Sequence, residues 1–175
     1  MSDKKKNGVE ALDYSVIKNF DSFEIRKYDE INIVSIETNK SMGSEGFTSL
    51  FKYISGQNKE KKEIPMTAPV LNKISDEEST MAFVMPKGMH LESIPKPLRE
   101  DLIVKQMDPG YYAVLKFNGF NNKRKINHKI EEFKDLLENK EYSILSDFYL
   151  ARFDPPLTLP TLRKNEILVK IAYKE

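Results

Sequence analysis

The sequence predicts an α+β fold in which a curved, largely antiparallel sheet carries two helices and is built from two similar halves. Three observations predict it. Short segments alternate with period 2, as Phe23, Ile25 and Lys27 do against Glu24, Arg26 and Tyr28. Two segments switch to helical spacing: Phe47, Leu50, Phe51 and Ile54, then Ile126, Ile130, Phe133 and Leu137. Each half also reads strand, strand, helix, strand, strand, with the helix always after the second strand. The duplication rests on this element order alone. Joining the halves edge to edge would close a barrel and hide the exposed strand edges.

The elements follow in order. Tyr14, Val16 and Lys18 lie on one face of a first short strand, and Asp21-Ser22 is its turn. Phe23 to Tyr28 is the next strand, Asp29-Glu30 a connection, and Ile31 to Ile36 another strand. From Gly43 to Gly56 the period is helical, with Ser44 as the N-cap and Gly56 as the stop. Gln57 to Glu63 is a polar loop. Ile64, Met66, Ala68 and Val70 alternate again, but Pro65 and Pro69 make this an edge, a bulge or a strand boundary. Thr80 to Met85 is a strand closed by Pro86-Lys87-Gly88.

His90 to Glu100, with Pro95 and Pro97, connects the halves, which span roughly 13–90 and 101–175 of a single domain. Leu102 to Met107 and Tyr111 to Phe117 are strands around the turn Asp108-Pro109-Gly110. Asn121 to Asn139 is the second helix. Phe148 to Phe153 and Glu166 to Tyr173 are the last strands, separated by the Asp154-Pro155-Pro156 bend. Residues 1–12 form a polar, disordered tail containing Lys4, Lys5 and Lys6.

Composition narrows the function. There are no cysteines, which excludes disulfides, thiolate nucleophiles and Cys-based metal sites. The 28 Lys+Arg against 27 Asp+Glu argue against a nucleic-acid partner. No run of 18 apolar residues offers a membrane span, and no apolar stretch follows the N-terminal lysines to make a secretory signal. The expected compartment is the cytoplasm.

Chemistry is sparse. His128 falls two residues after Ile126, roughly 200° from the apolar stripe at about 100° per residue, and should face solvent. His90 lies in the connection between halves, and neither histidine has a partner at metal-ligand spacing. No Gly-x-Ser-x-Gly elbow is present, and Gly43-Ser44-Glu45-Gly46 lacks phosphate-loop spacing. Glu77-Glu78 and Glu131-Glu132 read as solvated charge. Binding is therefore expected rather than catalysis. The first helix stands out, because Phe47 and Phe51 share one edge of its stripe, with Lys52 beside them.

Four separated runs carry a resemblance. Phe23-Glu24-Ile25-Arg26-Lys27-Tyr28 resembles an E-x-R-x-Y strand. Phe47 to Asn58 resembles a helix followed by a G-x-N turn. Lys62 to Val70 is similar to an I-x-M-T-A-P-V strand, and Phe153-Asp154-Pro155-Pro156 with Leu162 to Ile167 is similar to a Y-D-P-P and R-R-N-E-[IV] ending. In this order they resemble the SOUL family of haem-binding proteins, over about Tyr14 to Tyr173. The resemblance implies a distorted antiparallel barrel of about eight strands with two helices, and reversible binding of haem or another porphyrin by a monomeric carrier or buffer. It places the ligand along the first helix, with Phe47 and Phe51 as apolar lining, Lys52 as the basic residue and Ser44 at the helix start. Where some members carry His between the Arg and Tyr of the first motif, this chain has Lys27. That implies a porphyrin held by its faces or through a tyrosine, with modest affinity. The alternative is a binding module for another amphipathic small molecule or a protein, as in gyrase-inhibitor-like domains; a hydrolase of that architecture ranks below both.

Overall fold

The computed structural model describes residues 5–6, 8–38, 44–76, 78–155 and 157–175. The expectations that involve Gly43, Glu77, Pro156 and residues 1–4 and 7 of the N-terminal tail fall outside them. In chain order the strands are β1 (Lys5–Lys6), β2 (Val9–Ala11), β3 (Ser15–Asn19), β4 (Glu24–Tyr28) and β5 (Ile31–Thr38). Helix α1 (Ser44–Ile54) follows, then β6 (Thr67–Ala68), β7 (Val70–Ile74), β8 (Ser79–Val84), β9 (Leu102–Met107) and β10 (Gly110–Asn118). Helix α2 (Lys123–Asn139), β11 (Phe148–Arg152) and β12 (Lys164–Lys170) complete the chain. The predicted strand from Ile64 to Val70 is broken in two. The Ala68–Pro69 peptide is cis and separates β6, which pairs with β2, from β7, which joins the main sheet.

That sheet has nine strands in the order β3-β4-β10-β12-β11-β7-β8-β5-β9. Without β3 the order is palindromic. Exchanging β4 with β9, β10 with β5, β12 with β8 and β11 with β7 reverses it, so the two halves are related by a pseudo-two-fold at the β11–β7 pair. The first strand of each half sits on the second strand of the other, β4 on β10 and β9 on β5. The barrel closure expected from the sequence is not seen among the described residues: β3 and β9 end the ladder and do not pair with each other. The β3 edge is instead blunted by a register shift between Val16 and Lys18, a device that keeps exposed edges from pairing with other chains.

Both faces of β5 are covered, Ile31 and Ile33 lying in one core cluster and Val34 and Ile36 in another, which explains why its apolar residues do not alternate strictly. On one face α2 buries Ile126, Ile130, Phe133 and Leu137 against Ile25, Leu115, Leu150 and Ile167. Asn122 caps α2, its side chain accepting from the Lys125 N–H at 2.9 Å. The same strands turn Tyr28, Tyr112, Val114 and Leu168 to a second cluster, against which Leu12 and Tyr14 pack. Helix α1 packs Leu50, Tyr53 and Ile54 against Val34, Met81 and Phe83. Its approach to β5 depends on Gly46, where a Cβ would come within 2.8 Å of the Thr38 side chain.

The motif residues form the polar framework of this fold. Arg26 is fully buried and donates to Glu166 from both terminal nitrogens, at 2.8 and 2.9 Å, to Tyr28 Oη at 2.9 Å and to Glu24 at 2.5 Å. The Tyr14 ring covers its guanidinium at 3.9 Å. Burial opposes the Arg26 charge, but Glu166 and Tyr28 outweigh it and hold the guanidinium above its ordinary pKa. Asn58 brackets the turn after α1, donating to the Tyr53 and Lys62 carbonyls and accepting from the Lys62 N–H. Thr67 Oγ1 donates to the Val84 carbonyl, and Asn165 Nδ2 to the Gly119 carbonyl.

Four phenols predict the alkaline limit of the fold. Burial raises Tyr28, Tyr53, Tyr112 and Tyr149 above the ordinary value of 10.0, with Tyr53 pushed up to about 12 by burial and then by Glu60. A phenol whose pKa is higher in the folded than in the unfolded state contributes stability that is whole below the unfolded value and is lost as pH rises through the folded one. Stability should therefore decline from pH 10.0 upward, through about 12 for Tyr53. Urea unfolding at successive alkaline pH values checks this, and a flat profile across that window would contradict it.

Candidate functional site

Helix α1 divides its aromatic residues between core and surface. At helical spacing Leu50, Tyr53 and Ile54 point to the sheet, while Phe47 is half-buried at the margin and Phe51 lies one turn further along the same edge. Phe51 is 49% exposed. Its ring stacks on that of Phe47, with centroids 6.2 Å apart and planes 12° from parallel. Phe47 is pinned from below by an edge contact to Phe83 at 5.2 Å. The pair therefore presents an open apolar face braced by the core. Lys52 is exposed beside it. Ser44 is exposed and is the first helical residue rather than the residue before the helix; its carbonyl accepts from Thr48 Oγ1 at 2.8 Å.

Phe47 also forms one wall of a cleft of about 160 Å3. Its other walls come from Val70 on β7, Arg152 on β11, and Asp154, Arg163 and Lys164 around the bend that follows. No motif marks Arg152, which reads in the sequence as one residue of an apolar strand. Its register explains its position, as it pairs with Val70 on one side and Asn165 on the other. Burial, and then the neighbouring charge of Arg163, hold the Arg152 guanidinium below its ordinary pKa.

A larger cavity of about 620 Å3 lies elsewhere, between residues 10–15, the β4–β5 turn and the loop after β8. Tyr14, Lys27, Asn32, Met85, Met89 and His90 are among its lining residues, and none of Ser44, Phe47, Phe51 or Lys52 is. His90 and His128 are both exposed. Tyr53 donates its hydroxyl to the Pro95 carbonyl and is buried. No helix among the described residues is long and apolar enough to cross a membrane.

The fold is one that solved structures share at low sequence identity. A hydrolase from Listeria innocua superposes with a TM-score of 0.62 at 13% identity, over 86% of this chain and 92% of that one. The C-terminal domain of EcmrR superposes with a TM-score of 0.60 at 10% identity, over 91% and 98%. These likenesses define the α+β class and nothing narrower. Sequence narrows it: the profile of the SOUL heme-binding protein family matches residues 9–170. The chain belongs to that family. It is similar to heme-binding protein 2 of Homo sapiens, 27% identical over an alignment of 158 residues that covers 83% of this chain and 76% of the relative. The Mus musculus protein of the same name is 26% identical over 159 residues, with the same two coverages.

Proposed function

We propose that this protein binds haem or a related tetrapyrrole reversibly, as a monomeric cytoplasmic carrier or buffer, with the ligand lying across the first helix. The parallel, exposed stack of Phe51 on Phe47 carries the reading. A porphyrin presents a wide flat apolar face, and two parallel rings on a rigid helix suit it without rearrangement. Lys52 supplies a cation beside that face for an acidic substituent, and Ser44 a hydroxyl at the helix start. Membership of the family and the names of the two relatives support the ligand class. The buried carboxylates Glu24 and Glu166 are engaged by Arg26 rather than poised as an acid–base pair, which favours binding over catalysis.

Haemin titration, followed in the Soret band, tests this. Saturable binding in the micromolar range, about −8 kcal/mol, is expected; the absence of a saturable shift would overturn the reading. Because neither histidine lies at the aromatic pair, the ligand is held by its faces. Metal-free protoporphyrin should therefore bind within about tenfold of haemin. A larger loss without iron would mean that an axial ligand dominates. The second reading, a module for another amphipathic small molecule, draws on the 620 Å3 cavity, whose size falls in the roughly 300–1,000 Å3 range of small-molecule sites. A haemin-induced protection of Met85 and Met89, with Phe51 unaffected, would favour that cavity.

A further inference from the structure

We propose that the cleft beside Phe47 is a carboxylate-binding subsite, in which Arg152 and Arg163 receive an acidic arm of the ligand whose apolar face covers Phe47 and Phe51. This rests on the reading that the ligand lies on α1. The cleft sets three cationic side chains, Arg152, Arg163 and Lys164, against one carboxylate, Asp154. Asp154 is already engaged, since its Oδ2 accepts from the Lys164 backbone N–H at 2.5 Å. Arg163 is anchored by its Nε, which donates to the Thr158 carbonyl at 3.1 Å. Arg152 is different. Its Nε is buried and has no hydrogen-bond partner among the described residues.

A guanidinium held in a partly buried site without a carboxylate is costly unless an anion completes it. The depressed Arg152 pKa has the same origin, burial first and the Arg163 charge second. A carboxylate between the two arginines would relieve both, and its two oxygens match the guanidinium fork. Size sets the mode of binding. At about 160 Å3 the cleft is smaller than a whole-ligand site and suits a single arm. Phe47 is the hinge of the arrangement, because it belongs both to the open stack and to the cleft wall. A flat ring resting on the stack therefore has an edge within reach of the arginines.

The test compares haemin with haemin dimethyl ester, whose carboxylates are capped, on the full chain. Wild-type protein should bind haemin at least about tenfold more tightly than the ester. Arg152→Met combined with Arg163→Met should bring that ratio close to one while leaving ester affinity unchanged, and Arg152→Lys should restore part of it. Equal binding of haemin and ester by wild-type protein would overturn the subsite and leave the ring site standing. A ratio unchanged in the double variant would assign the carboxylate elsewhere, Lys52 included, and would also overturn it. If neither porphyrin binds, the ring reading fails, and glutarate becomes the probe. A saturable shift of the Arg152 Nε–H resonance with glutarate would still support a carboxylate site, and no shift would overturn it. The wild-type comparison and the resonance need no variant, so a misfolded mutant cannot decide the outcome.

Discussion

Replacing Arg26 with Met is expected to lower stability by about 3–5 kcal/mol, the usual effect of removing one partner from a buried ion pair. Glu24 and Glu166 are only 8% and 5% exposed, and both direct oxygens at the guanidinium. Met fills much of the same volume, so the loss is electrostatic more than steric. The two carboxylates would remain buried with Lys116, 3.5 Å from Glu24, as the one other cation paired with either among the described residues. At roughly 2–4 °C per kcal/mol for a chain of this size, the melting temperature should fall by about 10 °C. Urea unfolding of wild type and variant measures this directly. A loss below about 1 kcal/mol would mean that solvent reaches the cluster and that the motif serves something other than the framework.

Charge reversal on α1 should have the opposite profile. Phe51→Glu combined with Lys52→Glu is expected to weaken haemin binding more than about 100-fold, or some 2.7 kcal/mol, with stability changed by about 0.5 kcal/mol or less. Covering an aromatic ring is worth about 1.5–3 kcal/mol, and an acidic ligand would also meet two carboxylates where it had met an apolar ring and a cation. Both side chains are exposed, so the core beneath, Leu50, Tyr53 and Ile54, is left alone. Soret titration alongside urea unfolding separates the two effects. Unchanged affinity in a folded double variant would remove the ligand from this helix.

The contrast between those variants shows what was legible in the sequence. The α2 stripe was readable residue by residue, because Ile126, Ile130, Phe133 and Leu137 meet one core along a single periodic face. The first helix was readable as a helix, but the division between buried Leu50 and exposed Phe51 depends on where β5 and β8 lie beneath it. Element order revealed the duplication. The exchange of β4 and β9 between halves did not show, since strand order is set by pairings far apart in sequence. The motifs that identify the family, Glu24-x-Arg26-x-Tyr28, Asn58 and Asn165-Glu166, turn out to hold the framework together. Arg152 lies outside every such motif, and its missing partner exists only in three dimensions.

The exchanged strands also bear on how the chain comes to be folded. As the chain emerges from the ribosome, β4 appears early, yet its neighbour β10 lies more than eighty residues further on. β5, β7 and β8 can pair among themselves at once, but β7 awaits β11, and β10 and β11 are joined only by β12, the last strand of the sheet in chain order. The first half must therefore remain unfinished, with open strand edges, until β12 has emerged. Such long-range pairing slows folding and prolongs the exposure of sticky edges, so the nascent chain, more than the mature protein, is the stage at which this architecture is vulnerable.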